Sequence, residues 1–256
     1  SIASQARAPL GVDEFAVAGG LMGEAVPMVK CKTIDVEVPA YTEIVIEGKT
    51  IPHERVMDGP FGEYPGTYSP AKEAPVLQVT AITMRKKAFY TNALTGMPMT
   101  ENHWMMKPSA TALAYEEAHK VCPEVVDINV TNGGTCRHHV IVSIKKRHHA
   151  EARNLITSLL AGPLGAKLVI VVDEDIDVHD PLQVEWAVNN RFQAGKDLIV
   201  IPNMYSPTLD PSAPSSRTSD KMGLDATAPM GKLEDFQAPY TPGIENIRLK
   251  DYMKKS

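Results

Sequence analysis

Residues 29–47, VKCKTIDVEVPAYTEIVIE, alternate apolar and polar positions and are rich in Val, Ile and Thr, a period-two pattern broken at Pro39. The pattern predicts two antiparallel strands, about 29–37 and 42–48, and then a loop through residue 70. Two further strands are expected at about 75–83 and 88–94, joined by the charged turn Met84-Arg85-Lys86-Lys87. After residue 100 the period changes. Residues 108–120, PSATALAYEEAHK, open with Pro and Ser and continue with good helix formers. HVIVSIK (139–145) alternates as a strand. In 150–162, Ala152, Leu155, Ile156 and Leu159 recur at i, i+3, i+4 and i+7, one apolar helix face, and Gly162 ends the run. A strand at 167–172, an acidic loop, a helix from Pro181 capped by Asp180, and a strand at 197–201 complete an alternating β/α order. From Pro202 to Pro242 the chain is rich in Pro, Ser, Thr and Asp and reads as an extended surface tail, with a short last helix near 245–254.

These elements predict an α/β (α+β) fold in three parts: a mostly β, partly barrel-like unit at 1–97, an α/β unit at 98–205, and the tail at 206–256. A chain of 256 residues with 43 % apolar and 22 % charged positions is large enough for a proper core. The formal net charge of −5 provides no basic field for nucleic acid or an anionic membrane, and both partner classes are rejected. No apolar run reaches the ~18–20 residues of a spanning helix. Cys31, Cys122 and Cys136 are odd in number and widely spaced without a CxxC pair. That argues against a disulfide framework or structural zinc and suits a reducing cytoplasm. The opening residues, SIASQARAPLGVDEF, carry neither an initiator Met nor a signal-peptide pattern, so the chain is expected to be processed or a piece of something longer.

Three clusters invite chemistry. In DEDIDVHD (173–180), Asp173, Asp175 and Asp177 match the first ligand positions of a calcium loop, but Val178 stands where Gly is needed and Val184 where Glu is needed. A solvated loop with a helix cap is the preferred reading there. His138–His139 and His148–His149 are adjacent pairs, which point to opposite faces of a strand and cannot chelate one ion. MDGPFGEYPGTYSP (57–70) sets Asp58 and Glu63 five apart with Gly59, Pro60, Phe61 and Gly62 between them, in a segment no helix can hold. Composition alone leaves two readings open: an ordinary surface turn, or paired carboxylates, one protonated beside an ionised partner, for proton transfer.

The same loop resembles the EGPFGE signature of the UbiD-like decarboxylases, with Asp58 in place of the first Glu. The resemblance extends to GVDEFAVAGGLMGEAVPMVKCKTIDVEVPAYTEIVIEG (11–48), KLVIVVDEDIDVHDPLQVEWAVNNR (167–191) and SDKMGLDATAP (219–229), and so to nearly the whole chain. It implies that 1–97 is the C-terminal part of a flavin-binding domain and 98–205 an oligomerisation domain. The cofactors implied are prenylated FMN, Mn2+ and K+, and the reaction is the non-oxidative, reversible decarboxylation of an aromatic or α,β-unsaturated acid. Glu63 would deliver the proton to carbon and Asp58 would support it. Glu14 would ligate Mn2+ beside the cofactor phosphate, Lys221 would lie near the cofactor, and Ala3 and Ser4 would offer backbone ligands to K+. The implied partners are a small carboxylic acid, a missing N-terminal half or partner chain, and further copies in a dimer or hexamer.

Family members are roughly twice this length, so the chain reads as the C-terminal half of such an enzyme. A catalytically incomplete assembly module is the alternative from another class, and a metal-dependent hydrolase built on the 173–180 acids is a third. Residues 1–256 alone are expected neither to bind prenylated FMN tightly nor to decarboxylate. Turnover by the purified chain without any N-terminal partner would overturn that expectation.

Overall fold

The computed structural model describes residues 3, 8, 10–213, 217–237 and 239–253. Helix α1 (Glu14–Met22) starts where the Asp13 side chain accepts a hydrogen bond from the Phe15 N–H, and it ends at Gly23, whose φ of 76° suits glycine. None of its residues is buried. Strands β1 (Met28–Lys30) and β2 (Glu37–Pro39) form a short antiparallel pair. The turn between them hangs on Glu47, whose buried carboxylate accepts from Lys32 N at 2.7 Å, Thr33 N at 2.6 Å and Thr33 Oγ1 at 2.7 Å. Those bonds, the Lys32 N–H foremost, hold the carboxyl below its usual range.

Strands β3 (Ile44–Asp58) and β4 (Lys72–Met84) form a long antiparallel ribbon, in register from Ile44 opposite Met84 to Asp58 opposite Lys72. Two expectations are corrected here. The second strand runs ten residues past its predicted end, through Pro52, because register shifts after Glu47 and Thr50 absorb the irregular residues. The strand expected at 88–94 does not form. The ladder partner of β4 is β3, and pairing stops where the Arg85 N–H meets Glu43 O at 3.0 Å. The α/β class holds, and among the described residues the sheets of the first third do not close into a barrel.

The rest is a five-stranded sheet, ordered β5-β6-β7-β9-β8, with β5 (Val125–Val130), β6 (His139–Ile144), β7 (Leu168–Asp173), β8 (Leu198–Tyr205) and β9 (Thr218–Ala226). Strands β6, β7 and β9 run parallel, and β5 and β8 pair antiparallel at the two edges. Helices α2 (Glu101–His119) and α3 (Glu151–Ala161) cover one face, burying Ala114, Ala118, Leu155 and Leu159 against Val140, Val142, Val169 and Val171. Helix α4 (Pro181–Arg191) covers the other with Val184 and Ala187 against Ile141, Ile170 and Val172. A short α5 (Ala194–Asp197) leads into β8.

Helix α2 begins seven residues before its predicted start. A reciprocal cap between Thr100 and His103 opens it, and Pro108 lies inside it. The larger correction concerns the expected tail. Its middle is β9, hydrogen-bonded between β7 and β8, and the last helix is two short 3-10 turns, Ile244–Asn246 and Leu249–Asp251. The sequence TSDKMGLDA is too polar to announce an inner strand, yet Gly223 on it is what lets α3 approach. A Cβ added there would lie 2.1 Å from Ile156 Cγ2. Gly223→Ala is therefore expected to cost at least about 1–3 kcal/mol by overpacking. Denaturant unfolding of Gly223→Ala, Ile156→Ala and the double variant checks this, with a cost in the double smaller than the sum of the singles.

Candidate active site

The acid loop leaves β3 at Asp58, turns at Gly59 (φ 91°) and returns to β4 at Lys72. Several backbone bonds fold it on itself: Glu63 N–H to Thr67 O at 2.9 Å, Gly66 N–H to Glu63 O at 3.0 Å, and Ser69 N–H to Phe61 O at 2.9 Å. Thr95 Oγ1 donates to Gly62 O at 2.8 Å, and Gly66 (φ 86°) lies so near Met97 that a Cβ would meet its Cα at 3.0 Å. The deepest attachment is Tyr64, which is buried. Its carbonyl accepts from His103 Nε2 at 2.7 Å, and its hydroxyl lies 3.1 Å from His138 Nε2. Sequence reasoning named neither histidine as a partner of this loop. The reciprocal Thr100–His103 spacing at the start of α2 was the one available signal.

The predicted site residues fall in different settings. Glu63 is half-buried within the loop, and Asp58 is exposed at the end of β3. Glu14 is exposed in the first turn of α1. Lys221 is buried in β9, where its Nζ donates to Leu160 O at 2.5 Å, and burial holds its pKa below the usual lysine value. Ala3 is buried, and Ser4 lies outside the described residues. Lys221 precedes Met222, whose N–H donates to Lys167 O at 2.8 Å, and the Lys167 N–H donates to His138 O at 2.8 Å, so the backbone links β9 to the histidine that meets Tyr64. Among the described residues no group of three His, Cys, Asp or Glu is arranged to hold a metal ion, and Glu14 supplies a single carboxylate.

A second polar knot lies beside His138. Asp210 is buried and accepts from Lys167 Nζ at 2.8 Å, Ser206 Oγ at 2.7 Å, and Ser212 N and Oγ at 3.0 and 2.9 Å. Burial alone would raise its pKa; the bonds from Lys167, Ser206 and Ser212 outweigh that and hold the carboxyl well below the usual range. His138 itself is pushed down by burial, with Lys167 and Lys221 acting in the same sense and Asp210 against.

Asp173, Asp175, Asp177 and Asp180 are occupied by the protein itself. The guanidinium of Arg191 is buried on α4 and reaches Asp173 at 2.8 Å and Asp175 at 2.9 and 2.7 Å, and Asp173 also accepts from the Ala228 N–H at 2.6 Å. Asp180 caps α4 by accepting from the Leu182 N–H at 3.0 Å. The helix cap is as expected, but the loop is not simply solvated: Asp173 is buried with Arg191 in an ion pair. His138 and His139 turn to different partners, Tyr64 and Thr131.

With the fold and loop in view, two family models account for most of the chain: the 3-octaprenyl-4-hydroxybenzoate carboxy-lyase Rift-related domain over residues 1–98 and the C-terminal domain of the same carboxy-lyases over 103–226. The chain belongs to the UbiD family. Its structure superposes on the UbiD-class enzyme HmfF from Pelotomaculum thermopropionicum, solved with FMN, with a TM-score of 0.87 and 42 % identity, over 98 % of this chain and 56 % of that one. An evolved dimeric form of HmfF, solved with prFMN, gives a TM-score of 0.81 at 40 % identity, over 98 % and 54 %. In sequence, the anhydromevalonate phosphate decarboxylase of Methanothermobacter thermautotrophicus is 34 % identical over 92 % of this chain and 55 % of its own length. The phenolic acid decarboxylase of Bacillus subtilis is 33 % identical over 99 % and 56 %. The chain thus spans about half the length of the curated relatives it matches. No helix among the described residues is long and apolar enough to cross a membrane.

The knot at Asp210 yields a pH test. A carboxyl with a depressed folded-state pKa contributes stability that is complete above its unfolded value, near 4, and lost as the pH falls below it. Asp210→Asn is expected to lose about 2–3 kcal/mol at neutral pH. In denaturant titrations across pH, the gap to the wild type should narrow on acidification below about pH 4.

Proposed function

We propose that this chain carries the proton-delivering half of a prenylated-FMN decarboxylase site, acting on an aromatic or α,β-unsaturated carboxylic acid. Its relatives are decarboxylases, and HmfF is solved with FMN and with prFMN. The observation that carries the reading is the position of Glu63: half-buried, on a loop whose next residue is fixed by two histidines. Loss of CO2 leaves an electron pair on carbon, and a bound prenylated flavin supplies the electron sink for it. The protein's task is then to present one proton at one carbon, which a carboxyl group held away from bulk water does well. Glu63 is assigned that proton, and Asp58 supports it from the other end of the Gly59–Gly62 turn.

Lys221 suits a cofactor-side role because one of its three N–H donors is spent on Leu160 O and burial leaves its charge undersolvated. An acceptor on the cofactor would stabilise that ammonium. Glu14 offers one hard oxygen ligand, as Mn2+ favours, and the remaining ligands are assigned to segments beyond this chain. Backbone ligation of K+ by Ala3 and Ser4, and assembly into a dimer or hexamer, complete the proposal.

Glu63→Gln in the complete, flavin-loaded enzyme tests the assignment. Turnover is expected to fall about 10²–10⁴-fold while cofactor binding and assembly state, followed by the flavin spectrum and by sedimentation, stay as in the wild type. Unchanged turnover would leave the assembly-module reading in its place.

A further inference from the structure

Two histidines of the C-terminal domain hold the acid loop, and both bonds are made by the residue next to Glu63. Tyr64 lies within the Rift-related match, and His103 and His138 lie within the C-terminal match. The two contacts differ in kind. The Thr100 N–H donates to His103 Nδ1 at 3.2 Å, which fixes the tautomer with hydrogen on Nε2, and that hydrogen is given to the Tyr64 carbonyl at 2.7 Å. His103 is fully buried, so this bond pins the backbone of the loop. His138 pins the side chain: the Tyr64 hydroxyl lies 3.1 Å from its Nε2, with the two rings edge to face at 5.9 Å between centroids. Burial and the nearby Lys167 and Lys221 disfavour the imidazolium against the pull of Asp210, and the tautomer of the neutral ring decides which of Nε2 and the hydroxyl donates.

Glu63 itself has a loose seat. Its own backbone bonds are to Thr67 and Gly66, inside the same Gly- and Pro-rich loop. Two fixed points flank it along the chain: Gly62, whose carbonyl accepts from Thr95 Oγ1, and Tyr64, which of the two is the one held by the C-terminal domain. We propose that Tyr64, clamped between His103 and His138, is a positioning residue that sets the Glu63 carboxyl for proton delivery, so that the C-terminal domain governs the geometry of an acid borne by the other domain. This rests on the reading of Glu63 as the proton donor. Tyr64 touches no reacting atom in this account and acts through its neighbour.

Tyr64→Phe removes the hydroxyl bond and keeps the ring and the carbonyl bond to His103. His138→Gln, which retains a terminal amide able to accept from a hydroxyl, is the conservative companion. In the purified chain, hydrogen exchange at the amides of Glu63, Gly66 and Ser69 is expected to be about tenfold faster in Tyr64→Phe, while amides of β6 and β7 exchange as in the wild type. In the complete flavin-loaded enzyme, kcat is expected to fall about tenfold with KM unchanged. His138→Gln should retain more of kcat than Tyr64→Phe, and the double variant should be no slower than Tyr64→Phe alone. Wild-type exchange in the loop, or a change confined to KM, would overturn the proposal. So would full turnover by Glu63→Gln together with a slowed Tyr64→Phe, which would show that Tyr64 acts through something other than Glu63. If instead Glu63→Gln is inactive and Tyr64→Phe matches the wild type in both exchange and kcat, the clamp fails while the proton-donor reading stands.

Discussion

A loop built around Gly59, Pro60, Gly62, Pro65 and Gly66 folds on itself through backbone bonds, but of its aromatic side chains Phe61 and Tyr68 are exposed and Tyr64 alone is buried, so its placement depends on what Tyr64 is fastened to. Here the fastening is Tyr64. One aromatic side chain is inserted beside His138 while its carbonyl receives the His103 N–H. Both partners are borne by elements of the five-stranded lobe: His103 by the first turn of α2, and His138 at the entry to β6. The lobe that carries no proposed catalytic acid is thus the frame that locates one.

That frame is rigid for reasons of packing. Strands β6 and β7 are buried on both faces, between α2 and α3 on one side and α4 on the other. β9 completes the parallel core and brings Lys221 and Gly223 with it. Gly223 admits Ile156 of α3, and the same helix offers Leu160 O to the Lys221 ammonium. A strand that looks polar in isolation therefore serves two ends: a missing side chain permits close helix packing, and a buried cation is borne on a strand that the backbone links to His138.

What the sequence made legible follows the same physics. Ala152, Leu155, Ile156 and Leu159 gave α3 because helical periodicity is local, and Asp180 with Pro181 gave the start of α4 because a cap is local too. The run LVIVV gave β7 because an inner parallel strand is apolar throughout. β9 was hidden because its parallel partner, Leu168–Val172, lies far from it in sequence and its polar residues are satisfied only after folding. The extension of β3 through Pro52 was hidden likewise, since only a facing strand with compensating bulges tolerates it. At the site, the two acids were legible from their motif. Tyr64 was visible in the same motif, but its two histidine partners are 39 and 74 residues away, and nothing in the spacing joins them.

The β3–β4 ribbon sharpens the dependence. It leaves Ile46, Val56, Met57, Leu77, Val79 and Ile82 exposed, and α1 buries none of its residues. A two-stranded ribbon with so little buried surface is marginal by itself, and within this chain its connecting loop has fixed contacts of its own. Tyr64, held by His103 and His138, together with Thr95 on Gly62 and the close contact of Gly66 with Met97, fixes the loop at its far end and thereby steadies the strands that enter and leave it. Asp58 lies at the ribbon end of that span and Glu63 at the clamped end. The asymmetry assigned to the two acids thus has a structural counterpart: the residue proposed to move a proton sits beside the anchor, and the supporting acid sits at the last ladder pair of the ribbon, opposite Lys72.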